Sequence, residues 1–249
     1  MTVAVQLTLV IPCYNEAVSL PALVARCAEV FTRPNAEVIL VDNGSTDATP
    51  AVIAELLGAL DPRVAVRSIR IMPNAGYGGG ILAGLAVAQG RILGWTHADL
   101  QTDVADALRA LAVFEASDDP ARLFVKGVRR RRKLGDAAFT AGMSVFETLL
   151  FQRPFWDVNA QPTLFARAHY DTWSGVPADF ALDLFAYHAA RTAGLSVRRI
   201  PVVFGARQHG QSHWNVDWPA KWRFIRRTVI FSLALRRASK SSRTSAPWS

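Results

Sequence analysis

Asp99 and Gln101 stand two residues apart just after the apolar run Ile92-Leu93-Gly94-Trp95, in a stretch rich in oxygen-bearing and imidazole side chains. Side chains two apart in an extended chain point the same way. A strand delivering both residues to a sheet edge would therefore present two hard oxygen donors on one face. Hard oxygens suit Mg²⁺ or Mn²⁺, and Mg²⁺ is usually held by one or two carboxylates together with substrate phosphates. Asp99 could equally cap the helix that follows.

Other clusters carry similar options. Asp42 follows Val38-Ile39-Leu40-Val41 and should sit at a strand's carboxyl edge, where it could accept hydrogen bonds from a ribose or a base edge. An Asx-type turn or a helix cap at Asp42 or Ser45 explains the same residues. Gly76-Tyr77-Gly78-Gly79-Gly80 permits close backbone approach, and the helix expected after it would aim its amide end at the loop, where a phosphate could dock. The spacing is neither that of the lysine-bearing phosphate loop nor that of the dinucleotide fingerprint. Asp179 and Asp183 lie one helical turn apart and can face one side.

These residues need a scaffold, and the chain supplies one. Leu7–Ile11, Glu37–Val41, Val64–Ile71 and Arg91–Trp95 read as short buried strands, the first stopped by Pro12. Helices are expected over Ala17–Phe31, Ala48–Leu60 and Ile81–Gln89. Continuous apolar strands alternating with helices predict a mostly parallel sheet covered on both faces. Ligands collect at the carboxyl ends of such strands. Beyond Asp103, helices are expected over Asp103–Glu115, residues 137–151 and Asp179–Ala193, with strands over Leu123–Val128 and Ser196–Phe204. Asp157–Phe165 reads as mixed and turn-rich.

Composition sets the bounds. The chain has 249 residues, of which 51% are hydrophobic, enough for a substantial core. Its net charge of +8 favours anionic partners such as nucleotide phosphates or an acidic membrane surface. Cys13 and Cys27 lie in apolar segments and are expected to be buried, reduced thiols. No basic leader precedes the first strand and no uncharged run approaches the roughly 20 residues that span a bilayer. A cytoplasmic protein is expected. Trp218–Arg237 reads as a basic amphipathic helix that either lies on a membrane interface or packs on the domain. The tail over 238–249 is expected to be disordered.

Val10-Ile11-Pro12-Cys13-Tyr14-Asn15-Glu16, Val41-Asp42-Asn43-Gly44-Ser45-Thr46-Asp47, Asn74-Ala75-Gly76-Tyr77-Gly78 and Ala98-Asp99-Leu100-Gln101 occur in that order. Together they resemble the GT-A family 2 glycosyltransferases, close to the dolichol-phosphate mannosyltransferase branch. Asp157–Phe165, Pro177–Asp183 and Arg207–Trp214 extend the likeness to about residue 215. The resemblance implies a GT-A, Rossmann-like α/β sandwich over residues 1–215, with a nucleotide half at 1–103 and an acceptor half at 104–215, followed by the helix at 216–237.

The resemblance also implies roles. Pro12, Tyr14, Glu16 and Asp42 would line the nucleoside pocket, and Gly76 would lie near the nucleotide. Asp99 and Gln101 would hold Mn²⁺ or Mg²⁺ on the diphosphate. The family usually carries a carboxylate where this chain has His97. An imidazole there can ligate a metal, and being softer and neutral it favours Mn²⁺; hydrogen bonding to the diphosphate and plain packing are the other readings. Asp179 would be the catalytic base, Arg129 and Arg132 of the run Arg129–Lys133 would meet phosphate, and Arg207 and Ser212 would close over the diphosphate or acceptor.

The expected activity is a metal-dependent, inverting transfer of a hexose from a nucleotide-sugar to a polyprenyl phosphate or a lipid-linked or cell-envelope saccharide. Attachment through 218–237 at the inner face of the cell membrane would be peripheral. The rival is a catalytically weakened scaffold that binds anionic ligands or a membrane surface, a reading that His97 and the positive charge favour. Nucleic acid is not an expected partner, because the first half lacks interleaved aromatic and basic residues.

Overall fold

The structure, a computed structural model, describes residues 4–33, 35–130, 134–205 and 218–244; side chains at 134, 136, 218–221, 223, 224 and 239–244 are outside that description. In chain order the elements are β1 (Leu7–Cys13), α1 (Leu20–Val30), β2 (Ala36–Asn43), α2 (Thr49–Gly58), β3 (Val66–Ile71), α3 (Gly76–Ala86), β4 (Ile92–Trp95), α4 (Ala105–Glu115), β5 (Leu123–Arg130), α5 (Leu134–Phe151), β6 (Thr163–Ala166), α6 (Arg167–Tyr170), α7 (Leu182–Thr192), β7 (Ser196–Val203) and α8 (Trp218–Thr244).

One seven-stranded sheet runs in the order β3-β2-β1-β4-β6-β5-β7. Only β6 is antiparallel to its neighbours. Successive residues of a strand face opposite ways, and the core divides accordingly. Leu9, Ile11, Val38 and Leu40 meet α1 and α4 on one face. Val10, Ile39 and Val41 meet Ile81 and Leu85 of α3 on the other, in a cluster that also holds Leu182 and Phe185 of α7. Both faces are covered, which is why these strands read as unbroken apolar runs. Cys13 and Cys27 are buried free thiols, as expected, and burial pushes both far up from the ordinary thiol range.

Several elements differ from the sequence reading. Pro12 does not end β1. Pairing with β2 continues to Cys13–Asp42, whereas pairing with β4 stops at Val10–Trp95. Thr96 N–H donates to Val10 O at 3.1 Å, so the proline nitrogen, two residues on, faces the side where β4 has already ended. No ladder hydrogen bond is lost there. Thr163–Ala166, most of it inside the stretch read as turn-rich, is a buried strand in the interior of the sheet. Four residues are too short to display a period. Helix α3 begins at Gly76 rather than Ile81, so the glycine run is helical.

Helix α8 continues to Thr244, so residues 238–244 of the tail are helical rather than disordered; residues 245–249 lie outside the described part. Phe231 and Leu235 of α8 pack on the core, while Trp222, Ile230 and Leu233 are exposed. Val145 and Leu149 of α5 are exposed as well, and α5 and α8 are in contact. Among the described residues no helix is long and apolar enough to cross a membrane.

Candidate functional site

Strand β1 sits between β2 and β4, so the chain turns one way from β1 to β2 and β3 and then returns to β4. This is the switch point at which open α/β sheets leave a crevice. The loops there are laced together. Asn15 N–H donates to Ser45 Oγ at 3.1 Å, and Thr46 N–H donates to Asn15 Oδ1 at 2.9 Å. Glu16 N–H donates to Thr49 Oγ1 at 2.8 Å. These bonds fix the Pro12–Glu16 loop against the loop after β2 and leave Tyr14 exposed.

Asp42 is buried at the end of β2. Its Oδ1 accepts from Ser45 N–H at 3.0 Å, the Asx turn anticipated for it. Arg70 Nε lies 3.0 Å from Oδ2 as an ion pair, off the line of a hydrogen bond. Gly44 follows at φ +71°, and a Cβ on it would stand 2.5 Å from Asn74 N, so only glycine fits that turn. Asn43 ties in the third loop, donating to Gly76 O at 2.9 Å and accepting from Ala75 N–H at 3.0 Å.

The stretch after β4 that carries Asp99 and Gln101 departs from the extended geometry expected of it. Strand β4 stops at Trp95, and Leu100 has φ +56°. Gln101 N–H donates to Asp99 Oδ1 at 3.1 Å, so Asp99 and Gln101 belong to an Asx turn and not to one face of a strand. Local chemistry explains this: past Trp95 the next β1 residue facing β4 is Pro12, which has no N–H to offer, and a short acidic side chain satisfies the Gln101 amide instead. Gln101 Nε2 donates to Gly205 O at 3.2 Å, leaving Oε1 as its oxygen donor. The His97 ring lies 5.5 Å from that of Tyr77.

One carboxylate, one imidazole and one amide oxygen do not close a metal cage. Among the described residues no group of three or more His, Cys, Asp or Glu side chains gathers to hold an ion. The set fits a divalent cation only where phosphate oxygens and water complete the shell, which is the ordinary situation of Mg²⁺ at a diphosphate.

The glycine run also has a packing use. Gly79 N–H donates to Ala178 O at 2.8 Å and Gly76 N–H to Asn74 Oδ1 at 2.8 Å, so the chain itself takes two of the four amides at the start of α3. A Cβ at Gly76 would stand 2.7 Å from Ala178 O, and one at Gly78 2.7 Å from Asp179 O. The glycines let the Pro177–Asp179 loop lie directly on α3. Tyr77, in the same turn, stacks on Phe180 with ring centroids 4.8 Å apart.

Below this seam lies a buried polar network. Asp183, 2% exposed, accepts from Gln161 Nε2 at 2.8 Å, Tyr77 Oη at 3.1 Å, Lys126 Nζ at 3.3 Å and Trp95 Nε1 at 3.3 Å. Lys126 is fully buried and also donates to Thr163 Oγ1 at 2.6 Å. Burial brings the Lys126 ammonium down to about 8, against the opposing pull of Asp183. Burial, and then the Asp183 charge, push the Tyr77 hydroxyl well up. Asp179 and Asp183 therefore do not share one side: Asp179 precedes α7, half-exposed, where it pairs with Arg227 at 2.7 Å.

Asp179, Arg227 and Arg129 line one cavity between α5, α8 and the start of α7. Arg129 is bound on two sides of the Asp157 carboxylate: its backbone N–H donates to Oδ2 at 2.9 Å and its Nε to Oδ1 at 2.9 Å. Its guanidinium also lies 5.1 Å from the Phe204 ring. The rest of the wall is largely apolar and includes Phe139, Met143 and Phe231, with buried Glu147 among them.

The structure thus gathers Pro12, Tyr14, Glu16, Asp42, Gly76, His97, Asp99 and Gln101 at the carboxyl edge, and puts Asp179 and Arg129 in the adjoining cavity. Arg207 and Ser212, like Arg131–Lys133, lie outside the described residues. Sequence reasoning missed Lys126, Asp157, Gln161 and Glu147. A lysine inside the apolar run Leu123–Val128 was the available signal, since lysines are almost never fully buried unless paired.

The comparisons bear on this geometry. The model of the glycosyl transferase family 2 matches residues 8–169. A dodecaprenyl-phosphate galacturonate synthase of Rhizobium johnstonii is 34% identical over 134 residues, covering 53% of this chain and 38% of that protein. An undecaprenyl-phosphate 4-deoxy-4-formamido-L-arabinose transferase of Pseudomonas fluorescens is 30% identical over 214 residues, covering 84% and 60%. The chain therefore spans only about 38% to 60% of the length of these curated relatives. Among solved structures, a mannosyltransferase of Pyrobaculum calidifontis in complex with GDP-Man and Mn²⁺ aligns with TM-score 0.63 at 22% identity, covering 84% of this chain and 59% of that one. Glucosyl-3-phosphoglycerate synthase of Mycobacterium tuberculosis with Mn²⁺ and UDP aligns with TM-score 0.67 at 16% identity, covering 93% and 79%. At these identities the structural likeness establishes a GT-A fold.

Proposed function

The chain belongs to glycosyl transferase family 2, and on that premise we propose that it transfers a hexose from a nucleotide-sugar to a polyprenyl phosphate, with inversion at the anomeric carbon. The observation that carries the reading is the seam at Tyr77: its ring lies 5.5 Å from that of His97 at the donor edge and 4.8 Å from that of Phe180, next to Asp179. A donor bound at the edge and an acceptor bound in the cavity would meet there. We assign residues 1–103 to donor binding and 104–215 to acceptor binding, with the two halves sharing one sheet.

Asp42 would take the nucleoside, with Pro12, Tyr14 and Glu16 forming the wall around it and Gly76 closing the far side. Asp99, His97 and the Gln101 Oε1 would hold a divalent cation, which when bound supplies positive charge to the diphosphate leaving group. The acceptor oxygen forms the new bond to the anomeric carbon as the bond to the diphosphate breaks. A phosphate acceptor is already anionic and needs no base; Asp179 would serve as base only toward a hydroxyl of a saccharide acceptor. The Arg129 and Arg227 guanidiniums suit an acceptor phosphate by charge. Support for a polyprenyl phosphate comes from the two curated relatives, whose names specify dodecaprenyl and undecaprenyl phosphate.

Exposed Trp222, Ile230 and Leu233 among the arginines of α8, with Val145 and Leu149 on α5, support peripheral attachment at the membrane surface where such a lipid resides. The weakened-scaffold reading keeps one observation, the His97 ring lying against Tyr77. A thermal-shift screen of GDP-, UDP-, CDP- and dTDP-sugars with and without Mn²⁺ separates the two, since a ligand of the folded state raises the melting temperature. One donor should stabilise the wild type in Mn²⁺, Asp99→Ala should remove that shift and turnover together, and the product anomer should be inverted. Stabilisation by no donor, or full turnover in Asp99→Ala, would sink the enzyme reading.

A further inference from the structure

Glu147 has no part in the reaction as described. It lies on α5, 3% exposed, and faces the cavity that holds Asp179 and Arg227. Its Oε2 is buried without a hydrogen-bond partner. Buried polar atoms are nearly always paired, so a carboxyl on a cavity wall with one oxygen left unpaired asks for a partner that arrives with a ligand. Burial alone raises the carboxyl to about 8. At neutral pH the group is therefore a carboxylic acid with one O–H to donate.

The charges around it are otherwise engaged. Arg129 from β5 pairs with Asp157, and Arg227 from α8 pairs with Asp179 from the loop before α7. Among the described residues these are the other titratable side chains of the cavity wall. Apart from the amide of Asn159, the rest of the wall is apolar or hydroxyl-bearing, with Phe139, Met143, Val158, Leu184 and Phe231 offering a surface for a chain lipid.

We propose that Glu147 is an acceptor-binding residue whose carboxyl O–H donates a hydrogen bond to a phosphate oxygen of a polyprenyl phosphate seated in this cavity, its first isoprene unit against Phe139, Met143 and Phe231. The inference rests on the polyprenyl-phosphate reading above. A neutral acid adds a donor for the anion without the hydration cost of another buried cation. An ionised carboxylate at the same place would instead repel the phosphate. Acceptor affinity is thereby tied to one proton, and it falls as rising pH removes it.

The test measures binding of farnesyl phosphate, with farnesol as the phosphate-free control, to the full chain in detergent between pH 6.5 and 9.5. Wild-type affinity should fall about tenfold for each pH unit beyond the ionisation of Glu147. Glu147→Gln keeps a donor but cannot titrate, so it should retain the neutral-pH affinity and lose the pH dependence. Glu147→Leu should bind farnesyl phosphate about tenfold more weakly at pH 7.5, with nucleotide-sugar affinity and farnesol binding unchanged. A Glu147→Gln profile that tracks the wild type, or a Glu147→Leu variant with undiminished affinity, overturns the inference alone. A wild type that binds no farnesyl phosphate at any pH overturns the acceptor reading and this inference with it.

Discussion

Replacing Glu147 by glutamine should change how stability depends on pH, whatever the acceptor. The carboxyl ionises near its ordinary 4.5 in the unfolded chain and at about 8 in the folded one, because burial without a partner penalises the charge. Its folded-state pKa is raised. The stability linked to its retained proton is thus complete below pH 4.5 and lost progressively as pH rises toward 8. Each unit in that window corresponds to about 1.4 kcal/mol, so the whole interval amounts to about 5 kcal/mol as an upper figure. That is a large share of the roughly 5–15 kcal/mol typical of a folded protein. Urea unfolding of the wild type and Glu147→Gln at several pH values checks it. The variant should gain on the wild type by about 4 kcal/mol between roughly pH 5 and 8. A difference that stays constant across that range would refute the reasoning, because it would mean that Glu147 is hydrated or paired in the folded protein.

Other substitutions probe the scaffold and the surface. Lys126→Met leaves the Asp183 carboxylate, 2% exposed, without its cation; urea unfolding should show a loss of about 3–5 kcal/mol, and the Lys126→Met/Asp183→Asn pair should lose less than the two single changes added together. Gly78→Ala drives a methyl to 2.7 Å from Asp179 O, so the loop must lift from α3; stability should fall by about 1–3 kcal/mol, and transfer should fall more than donor binding. Trp222→Ser with Ile230→Ser removes two exposed apolar groups from α8 and should weaken cosedimentation with anionic vesicles about tenfold; unchanged sedimentation counts against attachment through this helix.

Much of the fold was legible because its strands are short, buried on both faces and separated by helices of clear period. Leu7–Ile11 and Glu37–Val41 announced themselves as a parallel sheet, and the carboxyl-edge position of Asp42 followed from the end of its apolar run. Segments with weak local signals were misread. β6 is four residues long, and its place in the sheet comes from β4 on one side and β5 on the other. The Gly76–Gly80 run looked like a loop because glycine disfavours helices; contact with Pro177–Asp179, a hundred residues away, outweighs that preference. The extended geometry imagined for Asp99 and Gln101 failed because β4 stops opposite the N–H-less Pro12 of β1 and an Asx turn takes over.

The sequence by itself determined the layered α/β architecture, the buried thiols and the family, because ordered loop motifs and apolar periodicity are local properties that survive without neighbours. Only the tertiary structure decided that Asp183 is a buried acceptor for Lys126, Gln161, Tyr77 and Trp95 while Asp179 stands at the surface with Arg227. The same holds for Glu147, whose acidity depends on how many apolar side chains surround it. Ionisation and pairing are set by through-space distance and dielectric, and those quantities exist only once distant segments have packed together.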